Sequence, residues 1–345
     1  MKIVGEFMKN VTVKDVAKAA GVSIATVSRV LNKNYFVSKE LEQKVTNAIK
    51  QLNYYPNSVA RSLKNKNTLT IGFLVSDISN SYFTTISRAI EDVIQQHNYS
   101  LIVCSNDSKP EKEYTYLKLL LEKKVDGIII NTTGKNDDFI ADISEKVPIV
   151  LCGRKVNAPN FIGDFVDSDN VSGSYDLTSH LIKLGHRKIG LINGPISVSS
   201  GRERFEGFQN AMKTIGIDVT DGYKYKYDGS FDIDGGYKGA AKLMETDDKP
   251  TAVVIMNNEM SIGALKYFRT HNINIPEDIS VASFGNIENE DLLFVKPSYV
   301  KMNTWAMGRK QAELIVERIE NKNQLPNREV RYSTLLIIGN GVRSI

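Results

Sequence analysis

From residue 69 onward, the sequence alternates between short apolar runs and longer stretches of helical period. The run 70–76 has the length and composition of a buried strand, and 82–97 repeats its apolar residues with helical spacing. Repeated strand–helix units predict parallel sheets covered by helices. The chain is long enough for two such sheets, so we expect two α/β lobes. A small ligand would bind between them, near the carboxyl ends of the strands.

The basic charge of the chain is concentrated at its start. Residues 1–67 hold 12 Lys and Arg against 4 Asp and Glu, which leaves 32 basic and 36 acidic residues for the remainder. A small basic head on a mildly acidic body indicates a head that binds nucleic acid. On charge alone, a solvated basic face is the equal alternative.

Residues 12–53 are predicted to form three short helices around a small core. Thr12, with an acidic residue three positions on, is typical of a capping-box start. Gly21 ends this first helix, and Ser23 caps a second one over 24–31. Two short helices joined by a glycine turn predict a helix-turn-helix, with a generic three-helix bundle as the alternative.

The second of these helices is predicted to lie in the major groove of DNA. Arg29 can reach guanine or phosphate, and Ser28 and Asn32 can donate hydrogen bonds to phosphates or bases. Further along, Pro56 interrupts the chain, and Asn57 can cap one or two more helical turns. Such a short helix is marginal alone and would form against DNA or a second copy of itself.

Catalytic constellations are missing from the sequence. There is no dinucleotide or nucleotide phosphate loop, no HExxH and no GxSxG, so we expect neither an enzyme nor a bound cofactor or metal. The two cysteines, Cys104 and Cys152, lie too far apart for a CxxC motif, and a reduced cytoplasmic setting fits them. No apolar stretch approaches the length that spans a bilayer, and the start lacks a signal-peptide core.

At the level of motifs, the chain resembles the lactose/galactose repressor family. Residues 11–32 are similar to the family's opening, and 54–63 are similar to its hinge. The matching segments in the body are 71–80, 125–129, 184–190 and 275–281. The resemblance implies a bacterial transcriptional repressor with a helix-turn-helix head, a hinge helix and a two-lobed, periplasmic-binding-protein-like body. It also implies a homodimer on a palindromic operator, whose affinity changes when a small molecule, often a sugar, binds the body.

For DNA binding, the resemblance implies that hinge helices at about 56–64 enter the minor groove, where Leu63 wedges between base pairs. Ile24 and Ala25 lie where the family reads bases, so we expect contact with thymine methyl groups there. The candidate DNA contacts are Thr12, Ser23, Ile24, Ala25, Thr26, Ser28, Arg29, Asn32, Tyr54, Asn57, Ala60 and Leu63.

For the effector, the resemblance selects five residues. Arg204 matches the arginine that clamps effector hydroxyls, and Asn257 matches an asparagine that follows a strand. Phe231 lies where an aromatic ring stacks on a sugar face. Ser76 and Tyr82 match the lining of the first lobe.

The sequence departs from the family at three positions of the effector site. Gly153, Asn258 and Gly285 stand where the family often has aspartates. These differences favour a bulkier glycoside or another ligand class over a simple monosaccharide. A binding site distinguishes between ligands by whether its buried polar groups find partners on them. Two other inputs remain open: a nucleobase or nucleoside, and a phosphoprotein partner.

The predicted domains are a DNA-binding head at 1–67 and an effector-binding and dimerisation body at 68–345. The body is divided into a first lobe, 69–167 with 300–327, and a second lobe, 168–297 with 328–345.

Overall fold

The computed structural model describes residues 11–32, 36–54, 67–220 and 222–345. The chain divides into two compact units, 1–68 and 69–345, which are described separately below. Within the described residues, no helix is long and apolar enough to cross a membrane.

The head contains three helices, α1 (Val13–Ala20), α2 (Ile24–Asn32) and α3 (Lys39–Gln51). The capping box predicted at Thr12 is present, and Gly21 ends α1 in the left-handed conformation at φ 65°. The apolar faces of the helices enclose a small core of Val16, Ala17, Ala20, Val27, Val45 and Ala48. The helix-turn-helix therefore has the local structure that its sequence predicts.

The first lobe of the body is built on a six-stranded sheet whose neighbouring strands pair in parallel. Its strands, in spatial order, are β11 (Glu329–Tyr332), β5 (Asp164–Ser168), β4 (Ile149–Cys152), β3 (Gly127–Ile130), β1 (Thr70–Val75) and β2 (Ser100–Ser105). The central strands are apolar on both faces, as expected of a parallel sheet covered by helices.

The second lobe carries a second six-stranded sheet with its own core. Its strands, in spatial order, are β12 (Leu335–Ile337), β10 (Ser298–Lys301), β9 (Ser280–Phe284), β8 (Ala252–Ile255), β6 (Ile189–Asn193) and β7 (Lys226–Asp228). The strands pair in parallel except at one edge, where β12 runs antiparallel to β10. The parallel sheet predicted from the sequence is thus present, with one antiparallel edge strand added to it.

Helices cover both sheets of the body. They are α4 (Ser81–Ile94), α5 (Pro110–Glu122), α6 (Asp137–Ser144), α7 (Asn170–Lys183), α8 (Ser199–Lys213), α9 (Ile233–Met244), α10 (Asn258–Thr270) and α11 (Thr304–Glu320). The alternation of strands and helices predicted from the sequence gives this two-lobed α/β architecture.

Two of the predicted lobe boundaries need correction. Residues 328–332 were assigned to the second lobe, but β11 is an edge strand of the first sheet. The reason is the buried carboxylate of Asp164, which accepts hydrogen bonds from the backbone and side chain of Arg328 and holds this segment against β5. Val300 and Lys301 were assigned to the first lobe, but they lie in β10 of the second sheet.

Three elements of the body were not predicted. The strand β5 escapes a search for apolar runs because three of its five residues are Asp164, Asp167 and Ser168, all of them buried. The strand β10 is short and follows a proline, and α6 is only eight residues long. Buried polar residues such as those of β5 interrupt the run of apolar residues from which a buried strand is predicted.

Candidate functional site

The exposed face of α2 is the first candidate site. Ile24, Ala25 and Arg29 are exposed, whereas Ser28 is half-buried. Val27, on the opposite side, is fully buried in the head core. The helix thus turns its predicted recognition residues outward, which is the arrangement that groove reading requires.

The remaining predicted DNA contacts of the head differ in their solvent exposure. Thr12 is exposed at the start of α1, and Ser23 and the half-buried Thr26 hydrogen-bond each other at the start of α2. Tyr54 packs against the head core. Asn32 ends α2, and its side chain lies outside the described part of the chain.

The hinge helix predicted at about 56–64 also lies outside the described residues, and with it the candidate contacts Asn57, Ala60 and Leu63. Its role in DNA binding stays a prediction.

The second candidate site is a cleft of about 530 Å³ between the two lobes of the body. The structure brings all five predicted effector residues to its wall: Ser76, Tyr82, Arg204, Phe231 and Asn257. They come from segments far apart in sequence, which meet because the carboxyl ends of parallel strands share one edge of each sheet.

On the second-lobe side, the predicted polar residues are held by other parts of the protein. The guanidinium of Arg204 donates to Asn170 Oδ1 at 2.8 Å and to the carbonyl of Met256. The side chain of Asn257 caps α10 by accepting from the backbone of Met260 at 2.9 Å. It also donates to the carbonyl of Phe231 at 2.8 Å. These bonds fix the shape of the wall before any ligand arrives.

On the first-lobe side, the cleft is lined by three polar residues that the sequence analysis missed: Asn131, Arg154 and Asp167. Asn131 follows β3 directly, Arg154 lies two residues beyond β4, and Asp167 is part of β5. The rule that ligands bind at strand carboxyl ends was the signal that could have found the first two. Asp167 was missed along with its strand.

Burial sets the electrostatics of the cleft. It raises the pKa of the Asp167 carboxyl to about 6, although the nearby Arg204 acts in the opposite direction. It lowers the pKa of Arg154 to about 10, so this guanidinium remains charged at neutral pH, and it also lowers the pKa of Arg204. Burial also raises the pKa of the Tyr82 hydroxyl well above its usual value. The Phe231 ring lies near both cations, with its centroid 5.4 Å from the guanidinium carbon of Arg154 and 5.8 Å from that of Arg204.

The structure shows what stands near the positions that depart from the family pattern. At Gly153, a Cβ would lie 3.7 Å from Asp167 Oδ1, so a carboxylate from β5 occupies the space beside the missing one. Asn258 bridges the lobes through reciprocal amide hydrogen bonds with Asn80, at 3.0 and 3.4 Å. The side-chain oxygen of Asn258 accepts a hydrogen bond while its amide nitrogen donates one, and an ionised aspartate could only accept.

Comparison with known proteins shows the family of the chain. The profile described as periplasmic binding proteins and sugar binding domain of LacI family matches residues 68–338, and that of bacterial regulatory proteins, lacI family, matches residues 12–57. This chain belongs to the LacI family. The resemblance and the fold class inferred from the sequence are confirmed.

Relatives match over nearly the whole chain. The HTH-type transcriptional repressor PurR of Haemophilus influenzae (strain PittEE) is 34% identical over 97% of this chain and 99% of its own. Among solved structures, a lac repressor dimer bound to operator and the anti-inducer ONPF is 26% identical. It covers 97% of this chain and 100% of its own, with a TM-score of 0.83. A complex of the transcriptional regulator CelR with cellobiose is also 26% identical, covers 96% and 99%, and has a TM-score of 0.72.

The LacI-family chain is therefore a DNA-binding transcriptional repressor and not an enzyme. This agrees with the absence of catalytic motifs from the sequence.

Proposed function

We propose that this repressor is a homodimer whose affinity for a palindromic operator is set by a sugar or glycoside bound in the interlobe cleft. The observation that carries the proposal is the composition of the cleft wall. Three aromatic side chains, Tyr82, Phe83 and Phe231, line the cleft together with hydrogen-bond donors and acceptors from both lobes. An apolar face edged by polar groups suits a sugar ring, which has apolar C–H faces and hydroxyls around its rim.

Three further observations support a saccharide. Asp167 supplies a carboxylate acceptor beside Gly153, so the loss of the family's aspartate there does not empty the cleft of carboxylates. A volume of about 530 Å³ also leaves room for a ligand larger than one sugar ring. The related CelR was solved with cellobiose.

The test is a thermal-shift screen of the full chain against glucose, cellobiose, aryl glycosides, hypoxanthine and guanine. A ligand at about 100 times its dissociation constant adds about 2.7 kcal/mol to the free energy of unfolding. We expect saccharide hits that also change operator affinity in fluorescence anisotropy. Hits restricted to the bases would contradict the proposal, as would saccharide binding without any change in operator affinity.

A purine base or nucleoside is the second candidate effector. The curated relatives are named PurR, and a flat ring could stack on Phe231 beside the two arginines. The same screen separates the two candidates, because each base is tested alongside the saccharides.

For the DNA side, we propose that the exposed face of α2 reads the major groove and that Leu63 of each protomer wedges into the minor groove. Leu63→Ala should then weaken binding to the selected operator far more than binding to random DNA, because only the operator repays the kink. Val59→Ala, in the same segment, is the matched control. Equal losses on both DNAs would rule out the wedge.

A further inference from the structure

Within the described part of the chain, Arg154 is a buried cation that forms no hydrogen bond with a carboxylate. Its side chain is 7% exposed and lines the cleft, and its hydrogen bond is to a neutral acceptor, the carbonyl of Thr132 at 3.1 Å. The nearby Glu113 attracts Arg154 electrostatically, but its carboxylate oxygens accept hydrogen bonds from Thr133 and Asn136, and the described residues show none from Arg154. Buried charges are normally paired, since an unpaired one loses its hydration without compensation.

A second buried arginine of the same lobe shows the usual arrangement. Arg318 is fully buried, and its guanidinium donates to both oxygens of Asp164 at 2.7 Å. Three neutral acceptors, including the carbonyls of Leu325 and Pro326, take its remaining donors. Of these two buried arginines, Arg318 is hydrogen-bonded to a carboxylate away from the cleft, whereas Arg154 at the cleft is not.

The start of α8 brings further positive potential to the same cleft. Its N-cap residue is Val198, which has no side-chain oxygen, and no side chain caps the helix. The backbone N–H of Lys155, the residue after Arg154, donates to Ser199 Oγ at 2.9 Å, so the arginine's segment lies against this helix end. Ser200, in the first turn, also lines the cleft. An uncapped helix start beside an arginine is a favourable setting for an oxyanion.

The acidic residues of the cleft do not neutralise Arg154. Asp107 forms an ion pair with Lys112 at 2.7 Å, Asp232 caps α9, and Asp77 accepts hydrogen bonds from Ser79. Asp167 accepts hydrogen bonds from the backbone N–H of Ser168 and from the side chain of Asn170. Among the described residues, none of these four carboxylates is hydrogen-bonded to Arg154, so an anionic ligand in the cleft is the partner that its guanidinium can still take.

We propose that Arg154 and the start of α8 form a subsite for a phosphate monoester, so that the effector is a phosphorylated sugar. This rests on the proposed function and narrows it. The sugar ring lies against Phe231, and the phosphate receives hydrogen bonds from Arg154, from Ser200 and from the first-turn N–H groups of α8. A guanidinium offers several donors in one plane, which suits a phosphate with three terminal oxygens.

The decisive experiment uses inorganic phosphate as the probe and the full chain as the protein. Isothermal titration should show saturable binding to the wild type, weakened by about 10- to 100-fold in Arg154→Gln, the change expected for hydrogen bonds to a charged group. Arg154→Lys, which keeps the charge but loses the planar fork, should fall between the two. Arg202→Gln is the matched control, because Arg202 is exposed on the same helix α8. Since the basic head is unchanged in all four proteins, any phosphate bound there is common to them.

Absence of saturable phosphate binding to the wild type, or equal binding by all four proteins, would overturn the subsite. Arg154→Gln should also melt no lower than the wild type in phosphate-free buffer, which shows that its loss of binding is not a loss of folding.

A second arm identifies the source of the phosphate. Matched pairs of glucose with glucose 6-phosphate, fructose with fructose 6-phosphate, and adenosine with AMP are compared in thermal shift. We expect the sugar phosphates to raise the melting temperature more than the neutral sugars, and Arg154→Gln to remove that difference. A preference for AMP alone, or stronger stabilisation by the neutral sugars, would overturn the assignment. Intact phosphate binding without any effect of the sugars on operator affinity would instead contradict the proposed function and leave the subsite standing.

Discussion

The two walls of the cleft differ in how far the protein itself satisfies their polar groups. On the second-lobe wall, Arg204 and Asn257 are bonded to other parts of the protein. On the first-lobe wall, as far as the structure describes the chain, Arg154 forms no hydrogen bond with a carboxylate, and Asn131 is buried with Oδ1 unbonded. Groups of the first kind hold the cleft in shape, and groups of the second kind gain a partner only from a ligand. Lining a cleft and recognising a ligand are therefore separate roles.

The largest expected effect separates the two arginines. Arg204→Ala should lower the free energy of unfolding by about 2–4 kcal/mol, because it leaves Asn170 Oδ1 and the Met256 carbonyl without their charged donor. Arg154→Ala should change it by less than about 1 kcal/mol, since the lost bond to Thr132 is offset by removal of an unpaired buried charge. Urea denaturation of the ligand-free proteins measures both.

The comparison fails if the two variants are destabilised equally. Such a result would mean that Arg154 has a structural partner as effective as those of Arg204, and that the first wall is as satisfied as the second.

The same contrast explains which parts of the site could be predicted from the sequence. The exposed face of α2 and its cap at Ser23 follow from helical spacing and local capping, which involve residues a few positions apart. The second-wall residues were found because the resemblance to a family marks their positions. Asn131 and Arg154 follow predicted strands, so the rule on strand carboxyl ends makes them candidates, but the rule alone does not say which strand ends reach the cleft. Their function depends on which strands become neighbours, and this is decided by packing across the whole sheet.

The next prediction concerns the pH dependence of stability and the buried carboxylate of Asp167 in β5. Burial raises the pKa of Asp167 from 3.8 to about 6, so the fold favours its protonated form. Its contribution to stability is present at low pH and is lost as the pH rises from about 4 to about 6. Asp167→Asn removes this titration. The variant should gain about 2 kcal/mol relative to the wild type between pH 4.5 and pH 7.5, as measured by urea denaturation at the two values.

Other carboxylates also make stability depend on pH, mainly at more acidic values, and they are common to both proteins. Burial competes with the arginine partners of Asp164 and Glu203, and the net effect lowers the pKa of both carboxyls, which makes the whole protein less stable in acid. A stability difference between wild type and Asp167→Asn that stays constant with pH would show that the ionised Asp167 is fully compensated by Arg204.

The smallest expected effect compares one asparagine from each wall. Asn257→Ala removes the cap of α10 and should cost about 1–2 kcal/mol of stability. Asn131→Ala should cost less than about 1 kcal/mol, because the lost bond to the Cys152 carbonyl is offset by removal of an unbonded acceptor.

The effects of the two substitutions on the affinity for the ligand identified in the thermal-shift screen should have the opposite order. Asn131→Ala should weaken ligand binding more than Asn257→Ala. The side-chain oxygen of Asn131 is free to accept a hydrogen bond from the ligand, whereas the side-chain amide of Asn257 already donates to the carbonyl of Phe231. Isothermal titration of that ligand into both variants measures the two losses of affinity. If the variant that loses more stability also loses more affinity, the proposed distinction between the two walls is wrong.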